Sequence, residues 1–421
     1  MSKNRMIPPI WFQGFSDSWE QRKFADLATV RRGLTYKPHN VIEGGKRVLR
    51  SSNINEDAFQ VHHDDVFVDE NVVNIPYVNN GDILITSANG SSRLIGKHAI
   101  IRDIPENSAV HGGFMLLASS DESEFVNALM SSPWYKKFIN AYVAGGNGAI
   151  GNLNKNDLDE QIAYVPQKEE MHKIGDFFGN LDHLITLHQR KIDQLKKIKK
   201  YFLQKMFPAK GEKLPKIRFM GFTGDWKERK LGDISSLNGR IGFRGYTQKD
   251  IITKEEGGIL TFSPTNIIDN RLIIGENNTY ITQEKFDESP EIKIKNGDIL
   301  FVKTGSTLGK SCLISNLWEL ASINPQIVVI RTSPLFRQFL SVQLTSDLIQ
   351  KQVATVKIGG AVPTMTEAQI KQFDISIPSD EHEVAAIGDI FIRFDNVISL
   401  YQRKLDQLKT MKKYFLQNMF I

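Results

Sequence analysis

Two stretches of this chain place apolar residues at alternating steps of three and four over some thirty positions, the period of a helix that buries one stripe. The first seam runs Phe178, Leu181, Ile185, His188, Ile192, Leu195, Phe202 and Met206, with Lys199 as its one interruption. The second runs Phe391, Phe394, Ile398, Tyr401, Leu405, Leu408, Phe415 and Met419 in the same phase. No Gly or Pro falls between Leu181 and Phe207. Pro166 with Glu169 and Glu170, and Ser379 with Asp380 and Glu381, supply the start signals, the acids suiting the positive end of the helix dipole. A helix of this kind is roughly 50 Å long. Its seam reads as a coiled coil, and the simplest partner for each copy is the other, run antiparallel so that the preceding globular regions lie at opposite ends. Parallel pairing, or pairing with another subunit, is the alternative.

Elsewhere the pattern is shorter. Val66–Val68, Ile83–Thr86 and Ala99–Arg102 in the first half, and Leu272–Ile274, Ile299–Lys303 and Gln326–Arg331 in the second, read as strands between turn residues. Helical segments follow near Glu124–Val143 and Phe336–Val356. Each half therefore predicts an α+β domain followed by its long helix.

The halves are copies. Lys173 to Phe207 and Ala386 to Phe420 agree at well over half their positions, and Ile7–Asp26 aligns with Leu214–Asp233 through Gly14/Gly221, Phe15/Phe222, Trp19/Trp226 and Arg22/Arg229. Between these markers only phrases recur, such as Asn80-Gly81-Asp82-Ile83-Leu84 against Asn296-Gly297-Asp298-Ile299-Leu300. Like helices imply two like contacts, with each other or with two copies of a partner. Unlike domains imply two ligands or two halves of one. The expected division is residues 1–170, a first recognition domain; 171–208, a central helix; 209–383, a second domain; and 384–421, a closing helix.

Composition narrows the class. The 421 residues are 41% hydrophobic and 24% charged, the balance of packed cores rather than of a disordered chain. No stretch has the roughly 18 apolar residues of a membrane span and none resembles a signal peptide, so a soluble, cytoplasmic protein is expected. A net charge of +5 is compatible with a polyanionic partner. One cysteine, Cys312, excludes a disulfide framework and a cysteine-rich zinc site, and its apolar neighbours place it inside.

Catalytic patterns fall short. Thr304-Gly305-Ser306-Thr307-Leu308-Gly309-Lys310-Ser311 misses the first glycine of a phosphate-binding loop. Asn324-Pro325-Gln326 lacks the second proline and the aromatic of an adenine methyltransferase loop, and Glu291-Ile292-Lys293 has nuclease spacing but reads better as an alternating strand. His62-His63 lacks a third ligand, so no metal site is expected. What remains are basic and amide side chains in turns, suited to phosphates and base edges. In the first half these are Arg31, Arg32, Tyr36, Lys37, Arg50, Asn53, Asn89, Ser91, Arg93, Lys97 and Asn147. In the second they are Arg240, Arg244, Tyr246, Asn266, Lys303, Ser306, Lys310 and Lys357.

The order domain, helix, domain, matching helix, with the Gly-Asp-Ile-Leu phrases, Pro166 and Pro378, and the terminal Tyr-Phe-Leu-Gln-x-Met-Phe, resembles the specificity subunits of Type I restriction-modification systems over essentially the whole chain. The resemblance implies two target-recognition domains, each reading half of an interrupted double-stranded DNA site, with the helices as the spacer. It further implies two modification subunits that methylate adenine and restriction subunits that translocate and cleave. S-adenosylmethionine, ATP and Mg would belong to those partners, and this chain would bind no cofactor and hold no catalytic residue. Two other readings stay open on the residues alone: a scaffold binding proteins rather than DNA, and a solitary nucleotide-dependent nuclease or methyltransferase.

Overall fold

A computed structural model describes residues 6–142, 151–239, 246–275, 278–356 and 362–421. The chain forms two compact units, and they do not follow its linear order. One comprises Met1–Lys191 with Tyr401–Ile421, the other Ile192–Leu400. Each long helix thus contributes to both.

In the first unit a four-stranded antiparallel sheet runs in the order Thr29–Arg32, Met115–Ser119, Ile83–Thr86, His98–Ile100. Ile83–Thr86 is buried on both faces, which is why it reads as a continuous apolar run. Ile83 and Ile85 face helices Ser123–Ser131 and Pro133–Tyr142, while Leu84 joins a second cluster with Leu49, Ala99 and Leu117. A three-stranded sheet sets Val41–Leu49 between Val66–Val68 and, in parallel, Ala109–His111. The second unit repeats the plan: Ser235–Asn238, Ile327–Thr332, Ile299–Val302, Ser311–Leu313 in one sheet, and Ile251–Ile252, Thr279–Ile281, Ile259–Phe262, Ala321–Ile323 in another.

The repeated Gly-Asp corner now has a cause. Gly81 and Gly297 adopt φ of 97° and 93°, a region that favours glycine, and the following Asp82 and Asp298 close the turn by accepting from the backbone N–H of Asn79 and Lys295. The pre-domain phrase packs on the helix ends. Ile10 N–H donates to Asn418 O in the first unit and Ile217 N–H to Lys205 O in the second, both at 2.9 Å. Trp19 meets Phe420 edge-on and Trp226 meets Phe207 likewise.

The long helices span Lys168–Lys205 and Glu381–Asn418. Within the first unit Phe177 meets Phe415 and His188 meets Tyr401. Numbers rise on one helix as they fall on the other, so the pairing is antiparallel. Phe202 with Phe394 and Phe207 with Phe391 give the same sense in the second unit. Leu181, Ile192, Ile398 and Leu405 are buried, and Ile185, Leu195, Phe202, Phe394, Leu408 and Phe415 half-buried.

The lysine that interrupts the seam belongs there. Lys199 Nζ donates to Asp395 Oδ1 at 2.6 Å, and its counterpart Lys412 reaches Asp182 Oδ1 at 2.7 Å. Each unit adds a hairpin, Ile54–Asn55 with Ala58–Phe59 or Ile267–Ile268 with Arg271–Leu272. Their turns bring Glu56 to Lys409 (2.9 Å) and Asp57 to Lys412 (3.3 Å) in the first unit, and Asp269 to Lys196 (2.8 Å) in the second. Acidic hairpins therefore hold each domain against the basic face of a helix.

Candidate nucleic-acid interface

In both units three loops meet where the central strands end. In the first, Val41–Leu49 leads into Arg50–Asn53, Ile83–Thr86 leads into the segment from Ser87 to Leu94, and Gly112-Gly113-Phe114 leads into Met115–Ser119. They are tied together. Asn89 Nδ2 donates to Ser51 Oγ at 2.9 Å, the amides of Ser87 and Ala88 both donate to Phe114 O, and Gly112 N–H donates to Leu49 O. The glycines permit this approach, since a Cβ on Gly33 would lie 2.0 Å from Gly112 O. Arg50, Ser52, Ser91, Arg93 and Phe114 stay exposed on these loops, with Arg32 and Lys37 on the segment whose Leu34 bridges to Gly112. Beneath them His111 bonds the Arg31 carbonyl through Nε2 at 3.3 Å, and burial pushes its imidazole down to about 4.

The second unit uses the same positions with other residues. Lys303 N–H donates to Gln326 O, Asn324 N–H to Phe262 O, and Gly305 N–H to Pro363 O. Ser306, Lys310 and Gln326 are exposed there.

Several expected contact residues have other work. Asn53 is fully buried: its Oδ1 accepts the Arg50 N–H at 2.8 Å, and its Nδ2 donates to Gln60 O and Asp65 Oδ1, both at 2.9 Å. Asn266 makes the same set with Ser263, Ile273 and Asn278. Both brace a loop from a buried position instead of presenting an amide to DNA as expected. Arg31 turns inward to Asp82 and Ser119, the task that Arg331 performs on Asp298 in the second unit. Tyr36 packs on a cluster of Leu34, Val48, Val68 and Val110, Lys303 is paired with Glu367 at 3.3 Å, and Asn89 is half-buried against Ser51. Lys97 is half-buried at a hairpin base, and Tyr246 is half-buried. Asn147, Arg240, Arg244 and Lys357 lie outside the described residues. Phe114 and Gln326, exposed at the same place in the two units, were not among the expected contact residues. The paired glycines before one central strand, and the Asn-Pro-Gln before the other, were the available signals.

The near-miss motifs resolve by geometry. Thr304 to Ser311 joins two antiparallel strands, with Ser311–Leu313 where a phosphate loop needs a helix N-terminus. Glu291 lies in the 3-10 turn Pro290–Ile292, not the alternating strand expected, because Pro290 opens a helical turn and Arg331 Nη1 ties the Glu291 carbonyl. Cys312 is buried on its strand, which pushes the thiol up to about 12. Among the described residues no group of three His, Cys, Asp or Glu could hold a metal ion.

One framework, used twice, with alike helices and unlike loops, defines a tandem-repeat protein. The sequence model of the Type I restriction modification DNA specificity domain matches residues 16–197 and 223–410, and the chain belongs to that family. It is 22% identical over 273 residues to the Type I restriction enzyme MjaVIII specificity subunit of Methanocaldococcus jannaschii, covering 63% of this chain and 62% of that one. It is 26% identical over 234 residues to the putative MjaX specificity subunit of the same organism, covering 52% of each. The chain thus aligns with between half and two-thirds of the length of these relatives. The S subunit of a Type-I restriction-modification system from M. genitalium shares the fold at a TM-score of 0.63, with 14% identity and 99% of both chains covered.

Proposed function

We propose that this chain is the specificity subunit of a Type I restriction-modification complex, in which the domain of each unit reads one half of an interrupted double-stranded DNA site and the helices fix the gap between halves. The observation that carries this reading is the recurrence of one three-loop cluster with different exposed residues: Arg50, Arg93 and Phe114 in one copy, Ser306, Lys310 and Gln326 in the other. A shared framework with altered tips suits two different words of one language. The exposed arginines and lysines supply phosphate contacts that set register, and these make binding salt-dependent.

The subunit is non-catalytic in this reading. Two modification subunits use S-adenosylmethionine to methylate adenine, and restriction subunits use ATP and Mg to translocate and cleave, all in the cytoplasm where the DNA is. Among the described residues no helix is long and apolar enough to cross a membrane. Support for two copies of one partner comes from the helices. Leu184, Leu187, Ile198 and Tyr201 are exposed on one, and Val397, Leu400, Met411 and Tyr414 at the matching positions of the other. Apolar side chains left outside at the same places twice suit two like contacts.

The test is to map methylated adenines genome-wide in a host that carries this chain with its modification partner, then exchange residues 20–165 for those of a relative. One half of the site should change and the other persist. Shortening both helices equally should alter the gap alone. Change in both halves after a single exchange, or methylation with no sequence preference, defeats the proposal.

A further inference from the structure

The residue just before the central strand occupies one place in both units, and the two units differ there. Its backbone carbonyl is held by the loop after the neighbouring strand: Phe114 O accepts from Ser87 and Ala88, and Gln326 O from Lys303. Its side chain is exposed in both, Phe114 to 74%. A fixed backbone with an exposed side chain at the meeting point of three loops is what base reading requires, because a reader must keep its angle while its tip reaches out.

Gln326 has more than position. Asn324 is buried, its Nδ2 donates to Gln326 Oε1 at 3.1 Å, and its Oδ1 accepts the Gln326 N–H at 3.0 Å. The Gln326 amide is thereby turned one way before any ligand arrives. Oε1 keeps one lone pair, and Nε2 keeps a hydrogen for an acceptor. An acceptor beside a donor in one plane matches the N6 and N7 edge of adenine. Phe114 offers no hydrogen bond at the corresponding place. Its ring, after Gly112 and Gly113, suits the C5-methyl of thymine.

We infer that this position sets base identity in both halves of the site, Gln326 reading an adenine with its amide oriented by Asn324, and Phe114 making an apolar contact with a thymine. The inference rests on the DNA-reading role proposed above. It names which side chains exercise that role and which base each selects.

The experiment uses the full chain assembled with its modification partner, reading methylated sites genome-wide and binding to duplexes carrying each base at each position. Wild type should prefer adenine at one position of one half-site by roughly 5- to 150-fold over other bases. Gln326→Ala should reduce that to about 2-fold at that position alone. Gln326→Glu keeps the oxygen that Asn324 holds but loses the Nε2 donor, so preference should move toward cytosine, whose N4 donates. A gain of that kind cannot come from a damaged fold. Phe114→Ala should relax one thymine in the other half-site and nothing else. A bracing role predicts lower thermal stability or uniformly weaker binding in these variants with every base preference intact, and that outcome overturns the inference while leaving two-half recognition standing. Absence of any sequence preference in the wild-type complex would instead remove the DNA-reading role itself.

Discussion

Lys412 gives the sharpest energetic test. Its side chain is 9% exposed, 2.7 Å from Asp182 Oδ1 and 3.3 Å from Asp57 Oδ2. Burial works against its charge, but the carboxylates of Asp182 and Asp57 outweigh that and hold the ammonium above the ordinary lysine range. Lys412→Met keeps the length of the side chain and removes the cation. Asp57 is exposed and returns to water, whereas Asp182 keeps only 28% of its side-chain exposure and is left without a counter-charge. Breaking a fully buried pair costs about 3–5 kcal/mol. Discounted for the access Asp182 retains, the loss should be about 2–3 kcal/mol, a fall in Tm on the order of 4–12 °C for a unit of this size. Lys412→Met with Asp182→Leu should recover most of it, because apolar replacement of a buried pair is close to neutral. Thermal and denaturant unfolding of the four proteins in the cycle gives the coupling, which should change little with salt. A single variant within about 0.5 kcal/mol of wild type, or a double variant as weak as the two singles summed, refutes the account.

Other outcomes follow from the same structure. His111, with its imidazole at about 4 in the folded unit and near 6.5 unfolded, stays neutral in the fold while the unfolded chain gains a proton. The stability it contributes is complete above about pH 6.5 and is lost as pH falls toward 4, on the order of 3 kcal/mol; His111→Gln should flatten that limb of a stability-against-pH curve. Glu170 and Glu383 occupy matching positions near the helix starts with opposite expectations. Burial pushes the Glu170 carboxyl up, so Glu170→Gln should stabilise at neutral pH, the gain vanishing as pH falls through the raised value. Glu383 lies in the fork of Arg218, with two contacts of 2.7 Å, and Glu383→Gln should cost about 2 kcal/mol in chemical denaturation. Gly388→Ala should destabilise by about 1 kcal/mol although helix propensity favours Ala, since its Cβ would sit 2.8 Å from Gln338 Cβ and 3.0 Å from Phe339 N; a raised Tm would contradict this.

The helices were legible because their signal is local: apolar steps of three and four show which face is buried without knowing what covers it. The identity of the cover was not. Leu181 and Phe178 reach a globular core completed by Leu416, Met419 and Phe420 from the other end of the chain, a meeting no window of sequence contains. Loop residues were read least well, for a related reason. Asn53 looked like a reader because an amide in a turn can serve DNA or backbone equally, and the partner that decides, Asp65, stands on a different loop. Lys199 shows the converse. It reads as a flaw in the seam because its partner, Asp395, lies nearly two hundred residues away in sequence.

The pairing also places a constraint on the helices that the loop tips lack. In an antiparallel pair of related helices, a contact between one residue and another recurs with the roles exchanged, as Lys199 with Asp395 and Asp182 with Lys412 demonstrate. A change of Lys to Glu in one copy therefore places like charges together in one unit and leaves the other unit's pair intact, so each helix is held to the needs of its twin. The loop tips have no such twin. Phe114 and Gln326 share a backbone position whose carbonyl accepts from the loop after the neighbouring strand, and each side chain is exposed within its own unit. Two sets of loops that differ are thus mounted on two helices that match.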